Sequence, residues 1–270
     1  MNLEVPILLY HSISDDASAQ FKKWTVSPQD FAAQMGHLYE NGFTPVTVTR
    51  LARAIANDRV SLPERPVVIS FDDGFADFYS QAFPVLDRYG FTATLFVVSG
   101  YIGGSAQWLQ DQGEAERPML TWEQITALDA AGIEIGAHTQ THPQLDTLQP
   151  DLAQEQIRGS KLVLEQQLGK RITSFAYPHG YYSPIVRRMV RQAGFLSACG
   201  VKHAMSSVKD DHFALARIVV SSGTSLAGFG DLLAGRGLRA VPAGERVRTK
   251  VWRLFRRSMF LLRTNYSASG

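Results

Sequence analysis

The amino-acid sequence predicts an α/β fold, either an open parallel sheet or an incomplete (β/α) barrel of about seven strands. Short apolar runs rich in β-branched residues alternate with helical patterns about six or seven times along the chain. Polar clusters follow directly on several of these runs, and in such folds the functional side chains lie at the carboxyl ends of strands. The clusters are Tyr10-His11, Asp72-Asp73, His138 and Pro178-His179.

Each predicted element rests on its apolar pattern and on the residues that begin or end it. Strands are expected over 5–10, 45–48, 67–71, 92–98, 133–137, 173–176, 197–199 and 215–220. Helices are expected over 28–41, 48–57, 78–89, 122–131, 151–168 and 184–193. Ser27 and Thr121 stand at N-cap positions, and Gln124 completes a capping box with Thr121. Gly90 and Gly169 follow the last turns of two helices, where a left-handed residue is needed.

Composition narrows the classes of protein and the expected location. Hydrophobic residues make up 45% of the chain, which is typical of a globular protein, and no apolar run is long enough to span a membrane. The first residues lack the cationic and apolar parts of a signal peptide, so we expect a cytoplasmic location. Cys199, the single cysteine, excludes an intrachain disulfide and is interpreted as a small buried apolar residue.

The last part of the chain differs in charge from the rest. Between Arg236 and Arg263 there are nine basic residues and one acidic residue, whereas the remainder has 18 basic and 24 acidic residues. We therefore expect a folded domain over residues 1–225 and a basic amphipathic tail over residues 226–270. Such a tail either packs on its own domain or lies peripherally on an anionic membrane surface, here the inner face. No motif supports nucleic-acid binding, which is not expected.

Three motifs and one histidine carry candidate chemistry. Residues 70–74 read Ser-Phe-Asp-Asp-Gly, and adjacent carboxylates at a strand end repel unless a cation or a proton lies between them. Residues 138–142 read His-Thr-Gln-Thr-His, a spacing at which two imidazoles can bind one divalent metal. Residues 175–180 read Phe-Ala-Tyr-Pro-His-Gly, a corner that can leave a backbone N–H free for an oxyanion. Each motif taken alone is also found in ordinary turns, and His11 alone is more often a structural residue.

Together the motifs resemble the polysaccharide deacetylase family, which has the NodB homology domain and forms carbohydrate esterase family four. The three motifs stand in the order of that family, and the resemblance extends from about Val5 to about Val220. It implies a distorted, incomplete (β/α) barrel of the NodB type. Because the first strand ends in Tyr10-His11, the sequence is most similar to the subgroup of biofilm-polysaccharide deacetylases with an N-terminal Tyr-His strand.

The resemblance also implies roles for individual residues. Asp72 resembles the general base, and the backbone N–H of His179 resembles the oxyanion donor. Two departures from the family pattern matter. Ala176 stands where many members have an arginine that steadies the base, and Arg217 is either its substitute or a surface residue. The usual Leu-x-His motif of the general acid is missing, and His11 is expected to take that role. The metal ligands implied are Asp73, His138 and His142.

The expected function is that of a metal-dependent hydrolase that removes N-acetyl groups from an amino-sugar glycan or its precursor, by metal-activated water. Zinc suits two histidines and one carboxylate, but Co²⁺, Ni²⁺, Fe²⁺ and Mn²⁺ remain open. Three alternatives also stay open: deformylation or deacetylation of a lipid-linked amino sugar, O-acetyl ester hydrolysis, and a degenerate barrel that binds sugar without turnover. The aromatic residues that are candidates for stacking on a sugar ring are Trp24, Trp108, Tyr177 and Tyr181.

Overall fold

The computed structural model of the protein describes residues 4–56, 60–207, 210–238, 252–253 and 255–256. In this part of the chain the helices are α1 (Pro28–Glu40), α2 (Val48–Ile55), α3 (Phe83–Arg88), α4 (Trp122–Ala130), α5 (Pro150–Leu168), α6 (Pro184–Gln192) and α7 (Leu226–Leu233). The strands are β1 (Glu4–Val5), β2 (Ile7–Tyr10), β3 (Ser12–Ile13), β4 (Thr25–Val26), β5 (Thr44–Pro45), β6 (Pro66–Phe71), β7 (Thr94–Val97), β8 (Glu134–Ala137), β9 (Ser174–Ala176), β10 (Ser197–Cys199), β11 (Ser206–Ser207) and β12 (Ile218–Val219).

Seven parallel strands form a curled half-barrel, which confirms the predicted fold class. Their order is β10-β9-β8-β7-β6-β2-β12, and β5 also pairs with the start of β6. The segment before β12 brings the two edges of the sheet together. Leu215 exchanges backbone hydrogen bonds with β10, and Ile218 and Val219 then pair with β2. Residues between 215 and 218 therefore lie where the curled sheet closes.

Alternation along the strands divides the apolar side chains between two clusters. Leu8 and Tyr10 pack outward under the helices, whereas Ile7 belongs to an interior cluster that also contains Phe96 and Cys199. The Cys199 side chain is fully buried, and burial raises the pKa of its thiol to about 12, so its predicted role as a small apolar residue is confirmed. The N–H of Val48, at the start of α2, donates to Thr94 Oγ1 at the start of β7. Hence α2 covers the end of the barrel opposite the carboxyl ends of the strands.

The helix starts expected from the sequence are present. Ser27 Oγ accepts the Asp30 N–H at the start of α1, and Thr121 and Gln124 form the capping box of α4. The helix predicted over 78–89 differs from the structure, because residues Phe78–Ala82 form a π-helical turn before α3. Pro84 explains the difference, since its missing N–H and its ring interrupt regular α-helical bonding to the preceding turn.

Helix α7 falls within the stretch that the sequence assigns to the tail. Phe229 and Leu233 are buried in the main core cluster, and α7 packs against α1. Beyond residue 238, only 252, 253, 255 and 256 belong to the described residues, so the predicted amphipathic helix lies mostly outside them. Among the residues searched, none of the helices combines the length and the apolar character needed to cross a bilayer.

Candidate active site

Asp72 and Asp73 occupy a tight turn directly after β6. The N–H of Asp72 donates to the carbonyl oxygen of Tyr10, which continues the pairing of β6 with β2. Asp73 has a φ of 75°, and Gly74 follows with a φ of 86°. A Cβ at Gly74 would lie 2.9 Å from Val97 Cγ1, so the position requires glycine for space as well as for conformation. Both aspartate side chains are consequently fixed and buried at the carboxyl end of the sheet.

His138 and His142 come from the loop that follows β8. The backbone N–H of His138 donates to the Val97 carbonyl and holds the residue in line with β7. Its ring Nδ1 lies 2.8 Å from the carbonyl oxygen of Ala176. A carbonyl can only accept, so Nδ1 carries the proton and Nε2 is left as a lone-pair donor. The N–H of His142 donates to Thr139 Oγ1, which turns the loop so that the two imidazoles lie 4.9 Å apart.

Asp73, His138 and His142 form one compact group. Asp73 Oδ1 lies 3.2 Å from His142 Nε2 and 3.6 Å from His138 Nε2, and the ligand atoms of the three residues all lie within 4.8 Å of one another. Burial lowers the pKa of His138 to about 4, which keeps the imidazole in the neutral form that binds metals. Burial opposes ionisation of Asp73, but the neighbouring His142 outweighs it and lowers the pKa.

The three residues fit a divalent metal. Two imidazoles and one carboxylate are a common ligand set for zinc and other first-row ions, and they leave coordination positions for water and substrate. Among the described residues, Asp73 Oδ1 is buried and has no hydrogen-bond partner. A buried carboxylate oxygen without a donor is costly unless a cation compensates it. The grouping expected from the family resemblance is therefore present in the fold.

Asp72 is paired with Arg217. Arg217 Nη1 and Nη2 donate to the two carboxylate oxygens of Asp72 at 2.6 and 2.7 Å, and its Nε donates to the Gly200 carbonyl at 3.0 Å. Arg217 is 0% exposed, so it is not the surface residue that the sequence also allowed. It enters the interior at the closure of the sheet, on the same side as Ala176. Burial would raise the pKa of Asp72, but the charge of Arg217 and then that of His138 keep it below its usual value.

His11 lies at the carboxyl end of β2, on the same edge of the sheet. Its ring packs against Trp24 with centroids 4.9 Å apart, and its Nδ1 is buried without a hydrogen-bond partner among the described residues. Burial lowers the pKa of His11, while the negative charges of Asp73 and Asp72 act in the opposite direction. Tyr10 pairs with Phe71 across β2 and β6, so His11 and Asp72 follow neighbouring strands at the same edge of the sheet. The fold thus brings His11 into the same site as the two aspartates.

The third motif forms the turn Pro178–Gly180 after β9. His179 has a φ of 57°, and the N–H groups of Gly180 and Tyr181 donate back to Tyr177 and Pro178. The sequence singled out only the backbone of His179, but its ring also lies 4.6 Å from that of His142. Burial lowers the pKa of the His179 imidazole to about 3, and the neighbouring His142 acts in the same direction. A neutral imidazole therefore borders the metal ligands.

Left-handed backbone is concentrated at this site. Among the described residues, the non-glycine residues with positive φ are Asp73, Thr139, His142, His179 and His203, and all but the last belong to the three motifs. Such residues cost about 1–3 kcal/mol each and persist where the surroundings fix them. The turns that present the ligands are therefore held by the fold against the local preference of the chain.

Sequence reasoning missed a buried polar network behind His11. Ser12 Oγ donates to Asp77 Oδ2 at 2.6 Å, and Arg117 Nη1 donates to Ser12 Oγ at 3.1 Å and to Asp77 Oδ2 at 3.3 Å. Burial raises the pKa of Asp77 to about 6. The network fixes β3 immediately after His11. No local pattern could have revealed it, because Arg117 is 105 residues from Ser12 in sequence.

The aromatic candidates divide clearly. Trp24 packs on His11, and Trp108 lies 5.2 Å from the ring of His142, so both border the site. Tyr181 is half-buried, with its ring 6.1 Å from that of His179. Tyr177 is excluded from the candidates for sugar stacking, because its side chain is fully buried and its hydroxyl donates to the carbonyl of Phe213.

Comparisons with known proteins identify the family of the chain. The sequence profile named "Polysaccharide deacetylase" matches residues 59–198. YxkH of Bacillus subtilis (strain 168) is 31% identical over 227 residues, which cover 84% of this chain and 75% of YxkH. The poly-β-1,6-N-acetyl-D-glucosamine N-deacetylase of Escherichia coli (strain K12) is 28% identical over 134 residues, 48% of this chain, and the match spans only 20% of that longer protein.

A solved structure shows the same fold. The Streptococcus pyogenes deacetylase PplD, determined in complex with acetate, superimposes with a TM-score of 0.75 and 25% sequence identity. The match covers 86% of this chain and 99% of that structure. The fold is a curled seven-stranded α/β half-barrel that groups two histidines and two aspartates at its carboxyl edge. Because the family profile covers more than half of the chain and YxkH is 31% identical, the chain belongs to the polysaccharide deacetylase family.

Proposed function

We propose that the protein is a metal-dependent hydrolase that removes N-acetyl groups from an amino-sugar glycan, by cleavage of a linear amide C–N bond. The observation that carries this proposal is the arrangement of the two adjacent aspartates. Asp73 lies with His138 and His142, whereas Asp72 lies beside them and is held by Arg217. The first group can bind a metal, and Asp72 lies outside that ligand group, so its carboxylate can accept a proton.

Asp73, His138 and His142 would hold the metal. When bound, the metal lowers the pKa of water towards neutrality and polarises a carbonyl group. Zinc fits the donor set best, and Co²⁺, Ni²⁺, Fe²⁺ and Mn²⁺ are alternatives for the same ligands. The neutral form of His138, fixed by its bond to Ala176, is already the form required for binding.

The remaining residues of the site handle protons and charge. Asp72 stays ionised at neutral pH because Arg217 compensates its charge, and it is therefore suited to take a proton from the attacking water. The left-handed turn at His179 is suited to direct its backbone N–H at the developing oxyanion. His11, at the carboxyl end of β2, is assigned to protonate the departing amine. Burial lowers its pKa, which makes the protonated imidazole a stronger acid.

The substrate class is taken from the family and its relatives. A relative acts, by its name, on poly-β-1,6-N-acetyl-D-glucosamine, so an N-acetylglucosamine polymer is the first substrate to test. Trp24 and Trp108 flank the site and offer the aromatic surfaces that a pyranose ring needs. An O-acetyl ester would be open to the same chemistry. A degenerate sugar-binding barrel is disfavoured because the ligand group and the Asp72–Arg217 pair are both in place.

A second candidate keeps the chemistry and changes the substrate to a lipid-linked amino sugar that carries a formyl or acetyl group. The observation that favours it is the net basic composition between Arg236 and Arg263. A basic amphipathic segment of this kind would hold the enzyme peripherally at the inner, cytoplasmic face of a membrane, beside such a substrate.

The proposal is tested with β-1,6-linked N-acetylglucosamine oligomers and protein loaded with each metal in turn. We expect acetate and free amine to appear in equal amounts, and acetate release to be abolished in Asp73→Asn. Parallel reactions with an N-formyl amino sugar and an O-acetyl sugar measure formate release and ester cleavage. The proposal is wrong if no metal supports acetate release from any N-acetylated amino sugar while one of the other bonds is cleaved.

A further inference from the structure

The described C-terminal residues are anchored beside the site. Arg256 Nη1 and Nη2 donate to the two carboxylate oxygens of Asp146 at 2.8 and 2.7 Å, and Arg253 Nε donates to the same carboxylate at 3.1 Å. Asp146 is 2% exposed and Arg256 is 8% exposed. Removal of either partner would leave the other charge buried and uncompensated, so the pair fixes Arg253 and Arg256 against the loop that contains Asp146.

The anchor lies next to the metal ligands. Asp146 lies in the same loop after β8 as His138 and His142, and Arg256 Nη1 also donates to Gln144 Oε1 at 3.0 Å. The guanidinium carbon of Arg256 stands 3.8 Å from the centre of the Tyr181 ring. Tyr181 in turn lies beside His179, whose ring touches that of His142. A continuous line of contacts therefore connects Arg256 to the candidate metal site.

The same segment presents an aromatic pair to solvent. The rings of Trp252 and Phe255 lie 5.3 Å apart at an interplanar angle of 19°, and the two residues are 47% and 54% exposed. Arg253 and Arg256 point inward to Asp146, whereas the rings of Trp252 and Phe255 face solvent. Exposed aromatic rings are suited to stack against the apolar faces of sugar rings.

We propose that Trp252 and Phe255, held beside the metal ligands by the pairing of Arg253 and Arg256 with Asp146, bind a sugar residue of the glycan beyond the one that loses its acetyl group. This inference rests on the proposed function and adds a subsite to it. The Asp146 anchor holds the subsite at a fixed distance from the metal ligands. A glycan must then extend beyond the reacting sugar to fill both the reaction centre and the subsite.

The test uses the full-length protein and β-1,6-linked N-acetylglucosamine oligomers of increasing length, from the disaccharide to the hexamer. For the wild type we expect kcat/KM to rise with chain length. In the double variant Trp252→Ala/Phe255→Ala the rise should disappear, with a roughly tenfold loss on the hexamer, equivalent to about 1.4 kcal/mol. The loss should be in KM, and rates on the disaccharide should be unchanged. Tyr39→Ala is the matched control, since Tyr39 is 60% exposed and lies in another aromatic cluster, with Tyr89.

A second variant, Arg256→Gln, releases the anchor and should give the same length-dependent loss. Hexamer binding by calorimetry is measured alongside, so that the subsite is tested even if no acetate is released. A wild type that binds the hexamer but releases no acetate contradicts the proposed function, and weaker hexamer binding by the double variant would still support the subsite. Equal hexamer binding by wild type and double variant overturns the inference. It is equally overturned if the double variant loses only its binding to vesicles of anionic phospholipid, because the aromatic pair would then serve a membrane.

Discussion

Removal of Arg217 should destabilise the protein and displace the pH dependence of its activity. Arg217 and Asp72 are 0% and 3% exposed, so Arg217→Met leaves a buried carboxylate without its cation. Loss of one partner of a buried ion pair costs about 3–5 kcal/mol, a large part of the roughly 5–15 kcal/mol that stabilises an ordinary domain. The same charge keeps Asp72 ionised, so the acidic limb of the activity profile should move to higher pH.

The direction of the effect on stability can be worked out from the pKa of Asp72. In the wild type the pKa of Asp72 is lower in the folded than in the unfolded state. Asp72 therefore stabilises the fold at pH values above its unfolded-state pKa, and this contribution is lost as the pH falls through its folded-state pKa. Without Arg217, burial dominates and raises the pKa above the unfolded value. The variant should then be relatively more stable in acid, and the difference in unfolding free energy between the two proteins should shrink from pH 7 towards about pH 4.

Urea unfolding at several pH values, together with the pH profile of kcat/KM, measures both effects. Arg236→Gln is the matched control, because the Arg236–Asp231 pair is exposed and should contribute less than about 1 kcal/mol. The double variant Asp72→Asn/Arg217→Met should regain stability but no activity. The reasoning is refuted if Arg217→Met costs less than about 1 kcal/mol, or if the double variant is no more stable than Arg217→Met.

Three further changes test separate parts of the structure. His11→Gln should lower kcat by about 10²–10⁴-fold with unchanged metal content, and an unaffected kcat would remove His11 from the mechanism. Burial raises the pKa of Asp77 to about 6, so folding takes up a proton between about pH 4 and pH 6. As the pH rises through that range, the wild type should lose stability relative to Asp77→Asn. Urea midpoints that change in the opposite direction would contradict this. In Gly136→Ala the new Cβ would lie 2.5 Å from Phe96 Cδ1 and 2.7 Å from Ser174 Oγ. Thermal and urea unfolding should therefore show a free energy of unfolding lower by about 1–3 kcal/mol. An unchanged midpoint would contradict this, because it would mean that Phe96 and Ser174 shift without cost.

The sequence was sufficient for the elements that depend on local signals. The capping box of Thr121 and Gln124 and the left-handed Gly169 at the end of α5 are present because neighbouring residues satisfy the backbone groups that a helix end leaves open. The fold class followed from the alternation of strands and helices. The ligand group could be expected because each motif directly follows a strand, and parallel strands bring their carboxyl ends to one edge.

Contacts between distant segments leave no local signal, so the sequence kept Arg217 open between a partner of Asp72 and a surface residue, and the structure shows the first. Arg217 is 145 residues from Asp72, and only the closure of the sheet decides that its side chain points inward. The attachment of Arg256 to Asp146 depends likewise on how the chain returns to the barrel. The left-handed backbone of Asp73 and His142 runs against local preference, so propensity alone gives no signal for it.

The central claim is that Asp73 belongs to a metal site and Asp72 does not, although the two are adjacent in sequence. Elemental analysis and acetate release are measured together on the wild type, Asp73→Asn and Asp72→Asn. The account predicts about one divalent metal per chain in the wild type, loss of both metal and activity in Asp73→Asn, and loss of activity with retained metal in Asp72→Asn. A wild type that binds no divalent metal, or an Asp73→Asn variant that keeps its metal, would contradict it.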